Sequence, residues 1–395
     1  MSDSSIGLAD LIVDADATIE RARAVGAGAP TEIGVLVVKY EAVRELLQDR
    51  RVKTSFTELL HMFGITSGVF HDWIAISPLD MDGEEHRRWR SLMARTFTPR
   101  SVERLRPAFA QEARRLVAQF AAAGECEFVE AFARQLPSFG LAELIGVPTE
   151  DRGTFSGWAD TVGLGMNLAV SASRIAEVDA ALKALIDYCH QLLRERQQRP
   201  RDDLVTRMAQ AADMEGGFTE AHLAASLAGL VFAGYETTKN QLGFMISTLA
   251  AVPEEWDRLA REPARAAKMV EECMRLRSTA SVVGRLATED LVVSGCPIGK
   301  GMRVLGSLWG GNRDPSVFRN PESFDPEAHE AEPQLAFGHG AHYCVGAALA
   351  RAELQESLIA LSSAITCPRV GEDAEWSPPL GISGPTRLPI AFTAR

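Results

Sequence analysis

The chain lacks most of the features that would assign it to a common class at once. Its 395 residues hold only six cysteines (Cys126, Cys189, Cys273, Cys296, Cys344 and Cys367), scattered and without a CxxC pair. That spacing disfavours a structural zinc site and a disulfide framework. Basic residues are in deficit. The net charge is -12, and a chain of that sign excludes nucleic acid as its main partner, because phosphates call for a basic face. Long apolar runs are missing too: the most apolar stretch, Leu223 to Tyr235, ends at Glu236, short of the roughly 20 residues that span a bilayer. The opening residues Met1-Ser-Asp-Ser-Ser-Ile-Gly show no basic region followed by an apolar run, so no secretory leader is read and a soluble, cytoplasmic protein without membrane contact is expected. Repeats, low-complexity tracts and linker-like runs are also absent, so one large domain over 1–395 is expected.

What is present is an ordinary globular composition, 46% hydrophobic and 24% charged, on a chain long enough to bury a core and enclose a ligand. Apolar residues recur at helical spacing over 179–193 and 264–276, and helices are expected to dominate from about residue 84 to 277. A strand is expected at 33–38. A β-rich section follows, with strands at 291–293 and 303–305 around a turn at 295–299, and another strand at 388–392. This is a mainly α fold with small β-sheets.

One cysteine stands apart. Cys344 lies in Phe337-Gly-His-Gly-Ala-His-Tyr-Cys344-Val-Gly346, directly before a helical pattern. Glycines permit close backbone approach, and a helix beginning after Cys344 would point free N–H groups and its positive dipole end at the sulfur. A zinc site from His339, His342 and Cys344 would match no usual ligand spacing. Taken singly, these features also fit a glycine-rich turn with an inert buried cysteine.

The pattern Phe337-x-x-Gly340-x-His342-x-Cys344-x-Gly346 resembles the haem-binding signature of the cytochrome P450 superfamily, soluble bacterial type. The resemblance implies that Cys344 is the thiolate ligand of the iron, that His342 contacts a propionate, and that Phe337 and Gly346 border the cofactor. Further matches run in the family's order. Glu272-Cys-Met-Arg275 resembles the ExxR element, whose i,i+3 pair lies on one helix face; its family role is to brace the segment carrying the thiolate. Ala233-Gly-Tyr-Glu-Thr237 resembles the oxygen-activation motif. Independently of that likeness, the Thr237 hydroxyl can reach the Ala233 carbonyl and open the helix locally. His86 and Arg90, spaced i,i+4, and Arg285 stand where relatives bind propionates.

Three positions depart from the commoner pattern. His329 stands where a third, arginine partner of Glu272 and Arg275 is usual. Gln334 replaces a propionate-binding histidine, and Ser278-Thr-Ala-Ser281 replaces a proline-rich turn, a change that either adds hydroxyls to the pocket or is a simple variation of the loop.

The resemblance implies a domain enclosing haem b (iron protoporphyrin IX) that inserts one oxygen atom from O2 into a largely apolar small molecule, by hydroxylation or epoxidation. Thr237 would position oxygen and waters, with Glu236 as proton carrier. The apolar segment 59–76 would cover the haem. No flavin or iron–sulfur segment is visible, which implies a ferredoxin-type electron donor with its NAD(P)H-dependent reductase, docking on 86–115, where nine arginines face two acids. The alternatives are a peroxide-driven peroxygenase, where some members replace the acid–Thr pair by Arg-Pro, and a non-enzymatic haem sensor, which would need no proton relay and would usually carry an output domain.

Overall fold

A computed structural model describes residues 6–328 and 332–395. The helix Glu220–Ala250 runs through its centre. It begins at Thr219, whose hydroxyl accepts the His222 N–H, the usual device for a free helix-start donor. Its residues are apolar nearly all round, as in a helix buried on every side. Around it pack the helices Gln135–Ile145, Arg152–Gly165 and Ser171–Gln198 on one flank, and Ala266–Leu276 and Ala347–Ala364 on another. As expected, helix dominates from Gly83 to Leu276; the last of these helices starts at Ala266, after a tighter turn at Pro263–Arg265.

The β-structure is small and lies at the edges. Five strands pair in the order Ala29–Thr31, Gly34–Val37, Arg303–Ser307, Val282–Ala287, Val52–Lys53. Gly34–Val37 runs parallel to Arg303–Ser307, with Val35 opposite Val304, and the other pairings are antiparallel. A three-stranded sheet joins Glu125–Glu127, Pro389–Ala394 and Ile365–Val370; the last continues directly from the helix Ala347–Ala364.

The structure corrects one expected turn. Residues 295–299 are not a loop between strands 291–293 and 303–305. Leu291–Val293 pairs with Cys296–Ile298 as a hairpin, and Arg303–Ser307 leaves it to join the larger sheet. The reversal needs only Ser294 and Gly295, both at positive φ (45° and 88°), as a two-residue hairpin turn requires.

Glu272 and Arg275 are buried and paired twice, Nε to Oε2 and Nη2 to Oε1, each at 2.8 Å. Arg275 also donates to the carbonyls of Asn312 (3.0 Å), Pro321 (2.7 Å) and Ser323 (3.0 Å), while Glu272 accepts the Asp325 N–H at 2.8 Å. One guanidinium thus ties the helix Ala266–Leu276 to the chain that leads toward Cys344. His329 lies outside the described residues. Replacing Arg275 by Met would leave the buried carboxylate without this partner and free three carbonyls. We expect a loss of about 3–5 kcal/mol, read from the shift in denaturant midpoint; a midpoint within experimental error of the wild type would refute the bracing role.

Candidate functional site

The loop before the helix Ala347–Ala364 is shaped by contacts that leave little freedom. The Cys344 N–H donates to the Phe337 carbonyl at 2.9 Å, closing the loop on itself. Gly338 and Gly340 hold φ of 72° and 70°. A Cβ on Gly340 would lie 2.6 Å from the Leu47 carbonyl oxygen, so glycine is required there by both conformation and contact. Phe337 is buried under the Arg351 guanidinium, 4.4 Å from its ring centre. Cys344 is accessible yet surrounded by protein, so its sulfur opens on a recess. Burial pushes its thiol up, while the Gly346 N–H and the charges of Arg90 and Arg351 act the other way. Further along the same helix, burial raises Glu353 to about 8.

Arg90 acts on a second group as well. His86 and His342, 256 residues apart in sequence, stack with ring centres 4.0 Å apart. His342 Nε2 lies 3.1 Å from Asp82 Oδ1, whose other oxygen accepts from the Thr54 N–H and hydroxyl at 2.8 Å. Burial, then His342 and Arg90, lower His86 to about 4. Arg285 is buried and lowered by that burial, with only Asp82 acting in the opposite direction. His342, Arg90 and Arg285 therefore gather around His86, and Asp82 is the acid that acts on it in the opposite direction. Two guanidiniums beside two imidazole donors suit an anionic ligand with more than one carboxylate. All four were candidates from the sequence; Asp82, which orients His342, was not.

In the long helix, the Thr237 hydroxyl donates to the Ala233 carbonyl at 2.5 Å, as its position suggested. Ala233 is exposed although most neighbours along this helix are buried, so this hydroxyl–carbonyl pair lies on an open face of the helix. Gly234 points elsewhere: a Cβ there would come within 2.9 Å of Leu141, so glycine admits the helix Gln135–Ile145. Glu236 is buried against Gly163. It pairs with Lys239 at 2.6 Å and accepts from Asn240 at 2.9 Å. Lys239 reaches Asp160 at 2.9 Å, Asp160 meets Arg134 at 2.6 Å, and Arg134 meets the exposed Glu130 at 2.6 Å. Burial opposes the charge on Lys239, but Glu236 and Asp160 outweigh it and hold its ammonium above the ordinary range. This chain of charges joins the helix centre to the surface. Only Lys239, three residues after Glu236, was visible as a neighbour in the sequence.

A cavity of about 180 Å³ lies beside the cluster, lined by Phe56, Leu59, Phe63, Leu168, Val282 and Ile382 and reaching Arg285. Segment 59–76 folds as the end of the helix Phe56–Met62 and the helix Val69–Ala75; the first contributes Phe56 and Leu59 to the cavity wall, and the second packs against it. The hydroxyls of 278–281 do not serve the pocket. Ser278, Thr279 and Ser281 donate to the carbonyls of Ala280 (2.7 Å), Ser383 (3.0 Å) and Pro379 (2.8 Å), fastening the loop that closes the cavity. Gln334 binds Glu271 at 3.0 Å, and its oxygen accepts the Ala336 N–H at 2.6 Å. The arginine-rich stretch is less positive than its linear count. Arg87, Arg106 and Arg115 pair with Glu84, Glu103 and Glu112; Arg106 also meets Glu356, and Arg104 meets Asp202. Arg88 is spent on the Gly216 carbonyl at 2.7 Å. Acids from outside the segment, brought in by folding, make the difference.

Known proteins are similar to this chain in sequence and fold. A family model described as Cytochrome P450 matches residues 168–361. Luteothin monooxygenase of Streptomyces thioluteus is 32% identical over 367 residues, covering 93% of this chain and 90% of that protein. The chain belongs to the cytochrome P450 family. A mycinamicin IV hydroxylase/epoxidase of Micromonospora griseorubida is 34% identical, covering 90% of this chain and 89% of the relative. Among solved structures, P450BioI in complex with an acyl carrier protein superposes with a TM-score of 0.87 at 28% identity, over 97% of this chain and 99% of that one. The protein is thus a haem–thiolate oxidoreductase of the monooxygenase class, a family that draws on redox partners and O2. Among the described residues, no helix is long and apolar enough to cross a membrane.

The two glycines separate loop geometry from helix packing. Gly340→Ala should cost about 1–3 kcal/mol for the left-handed backbone and lower the haem content of purified protein. Gly234→Ala needs only a shift of the Leu141 side chain and gains helix propensity, so its haem content should match the wild type. Equal haem content in both variants would contradict this division.

Proposed function

We propose that residues 1–395 form one catalytic unit that holds haem b and inserts one oxygen atom from O2 into a largely apolar small molecule. One observation carries the reading: His342, two residues before the accessible Cys344 on the same loop, stacks on His86 with ring centres 4.0 Å apart, and Arg90 and Arg285 act on that same imidazole. A flat cofactor with one metal and two carboxylates matches that donor set. Cys344 would ligate the iron, the four basic groups would hold the propionates, and Phe337, Gly346 and Ala233 would border the ring, while Gly234, expected there from the sequence, faces Leu141 instead. Haem b, when bound, supplies the oxygen chemistry, and a thiolate ligand favours O–O cleavage.

The chain's own residues do the rest. Thr237 donates its hydroxyl to the Ala233 carbonyl within a continuous helix and so keeps a polar group at an accessible point of an apolar helix. Glu236 is the proton carrier, and the Lys239–Asp160–Arg134–Glu130 chain of ion pairs holds it in place and balances its charge out to the surface. The cavity walls exclude water and receive an apolar substrate. Relatives named for luteothin, mycinamicin IV and a steroid support a hydroxylation or epoxidation on such a molecule. Glu236-Thr237 favours O2 over peroxide as the oxidant. The electron donor is a ferredoxin with its NAD(P)H-dependent reductase, in the cytoplasm.

Two measurements test this reading. The carbon-monoxide complex of the reduced protein should show the red-shifted Soret band of thiolate ligation, and Cys344→Ala should abolish it; a band that persists removes Cys344 from the site. Thr237→Ala should keep haem binding while diverting reducing equivalents to peroxide, and Glu236→Gln should slow turnover by about 10²-fold or more. Unchanged product per reducing equivalent in the first variant and unchanged turnover in the second would overturn the relay.

A further inference from the structure

The helix Phe56–Met62 of the cavity wall and the helix Val69–Ala75 packed against it meet through a pair of imidazoles with no part in the chemistry above. His61 is in the last turn of Phe56–Met62 and His71 in the first turns of Val69–Ala75. Their Nε2 atoms lie 2.8 Å apart, their ring centres 5.1 Å apart, and their planes within 16°. The centres are farther apart than the nitrogens by about one ring radius at each end, so the rings meet tip to tip. His71 Nδ1 is 2.9 Å from the Asp72 carboxylate. That bond places the ring proton on Nδ1 and leaves the Nε2 lone pair free to accept from His61.

A carboxylate behind one nitrogen, with the other nitrogen presented outward, is the arrangement that orients a metal-ligating histidine. We propose that His61 and His71 form a binding site for a divalent transition ion of the zinc type, taken through their two Nε2 atoms, with Asp72 as the outer carboxylate and water in the remaining positions. At Zn–N bonds of 2.0–2.1 Å, two nitrogens on a tetrahedral ion lie roughly 3.3–3.4 Å apart. The present pair therefore needs to separate by about half an ångström and tilt. His61 is exposed and the His71 side chain is 15% accessible, so an ion reaches them from solvent. Among the described residues no third histidine, cysteine or acid completes a cluster, which leaves the ion's other positions open to water.

The surrounding anchors give the site a consequence. Val69–Ala75 is fixed in place: the Phe70 N–H donates to Asp179 at 2.7 Å, and the Trp73 ring N–H donates to the Ala225 carbonyl of the long helix at 3.0 Å. The start of Phe56–Met62 is fixed on Asp80, which accepts the Phe56 and Thr57 N–H groups at 2.6 and 3.3 Å. Its far end carries His61, and Leu59 and Phe63 beside it line the cavity. An ion at the imidazole pair exchanges one hydrogen bond for two coordinate bonds and locks this wall against the fixed helix.

The experiment uses the haem-loaded, full-length protein without an affinity tag, and zinc ion as probe. Calorimetry should find one zinc per chain, weakened about tenfold or more by His61→Ala and by His71→Ala separately, and by a comparable factor in Asp72→Asn. Hydrogen exchange over residues 56–75 should slow with zinc in the wild type and not in His61→Ala. Haem content and the carbon-monoxide spectrum check that each variant is folded. Zinc affinity equal in the wild type and both histidine variants, or exchange unchanged by bound zinc, overturns the proposal.

Discussion

Burial makes an anionic sulfur costly at Cys344, and much of the architecture answers that cost. The thiol is raised by its surroundings, and the opposing influences are one backbone N–H and two guanidiniums. Those influences fall off within a few ångströms, so the loop must not drift. Its immobility comes from two directions. On one side, Gly340 rests against the Leu47 carbonyl with no room for a side chain. On the other, Arg275 gathers three carbonyls from 312–323 while it is held by Glu272. A buried ion pair is by itself weak evidence for stability. Here its value is positional, because it makes a loop without regular structure behave as part of a helix.

The long helix resolves a related conflict. A helix buried all round is stabilised by apolar packing, yet this one keeps a hydroxyl, a carboxylate and an ammonium in its middle turns. Each polar group is satisfied within reach: Thr237 by the Ala233 carbonyl, Glu236 by Lys239 and Asn240, Lys239 by Asp160. The absence of a side chain at Gly163 makes room for the Glu236 carboxylate. The apolar remainder is what allows these groups to stay buried, and their pairing is what keeps that burial from unfolding the helix.

Much of the site could be read from the chain because its key contacts are local. Cys344, Gly346 and the following helix are covalent neighbours, Thr237 and Ala233 are one turn apart, and so are Glu272 and Arg275. Helical periodicity and strand alternation placed most elements for the same reason. The hairpin at 291–298 was misread because Cys296-Pro-Ile298 sits among turn-forming residues, and its pairing with Leu291–Val293 shows only in three dimensions.

What the sequence by itself determined is the mainly helical fold, the family and the identity of the basic and nucleophilic residues. Only the tertiary structure decided what those residues face. It stacked His86 on His342 and set Asp82 beside them. It turned the hydroxyls of 278–281 onto backbone carbonyls, and it neutralised part of the arginine stretch with Asp202 and Glu356. The physical reason is range. Backbone propensity and i,i+4 geometry act between neighbours in the chain. Charge, burial and hydrogen bonding act between neighbours in space, and those are known only once the helices have packed.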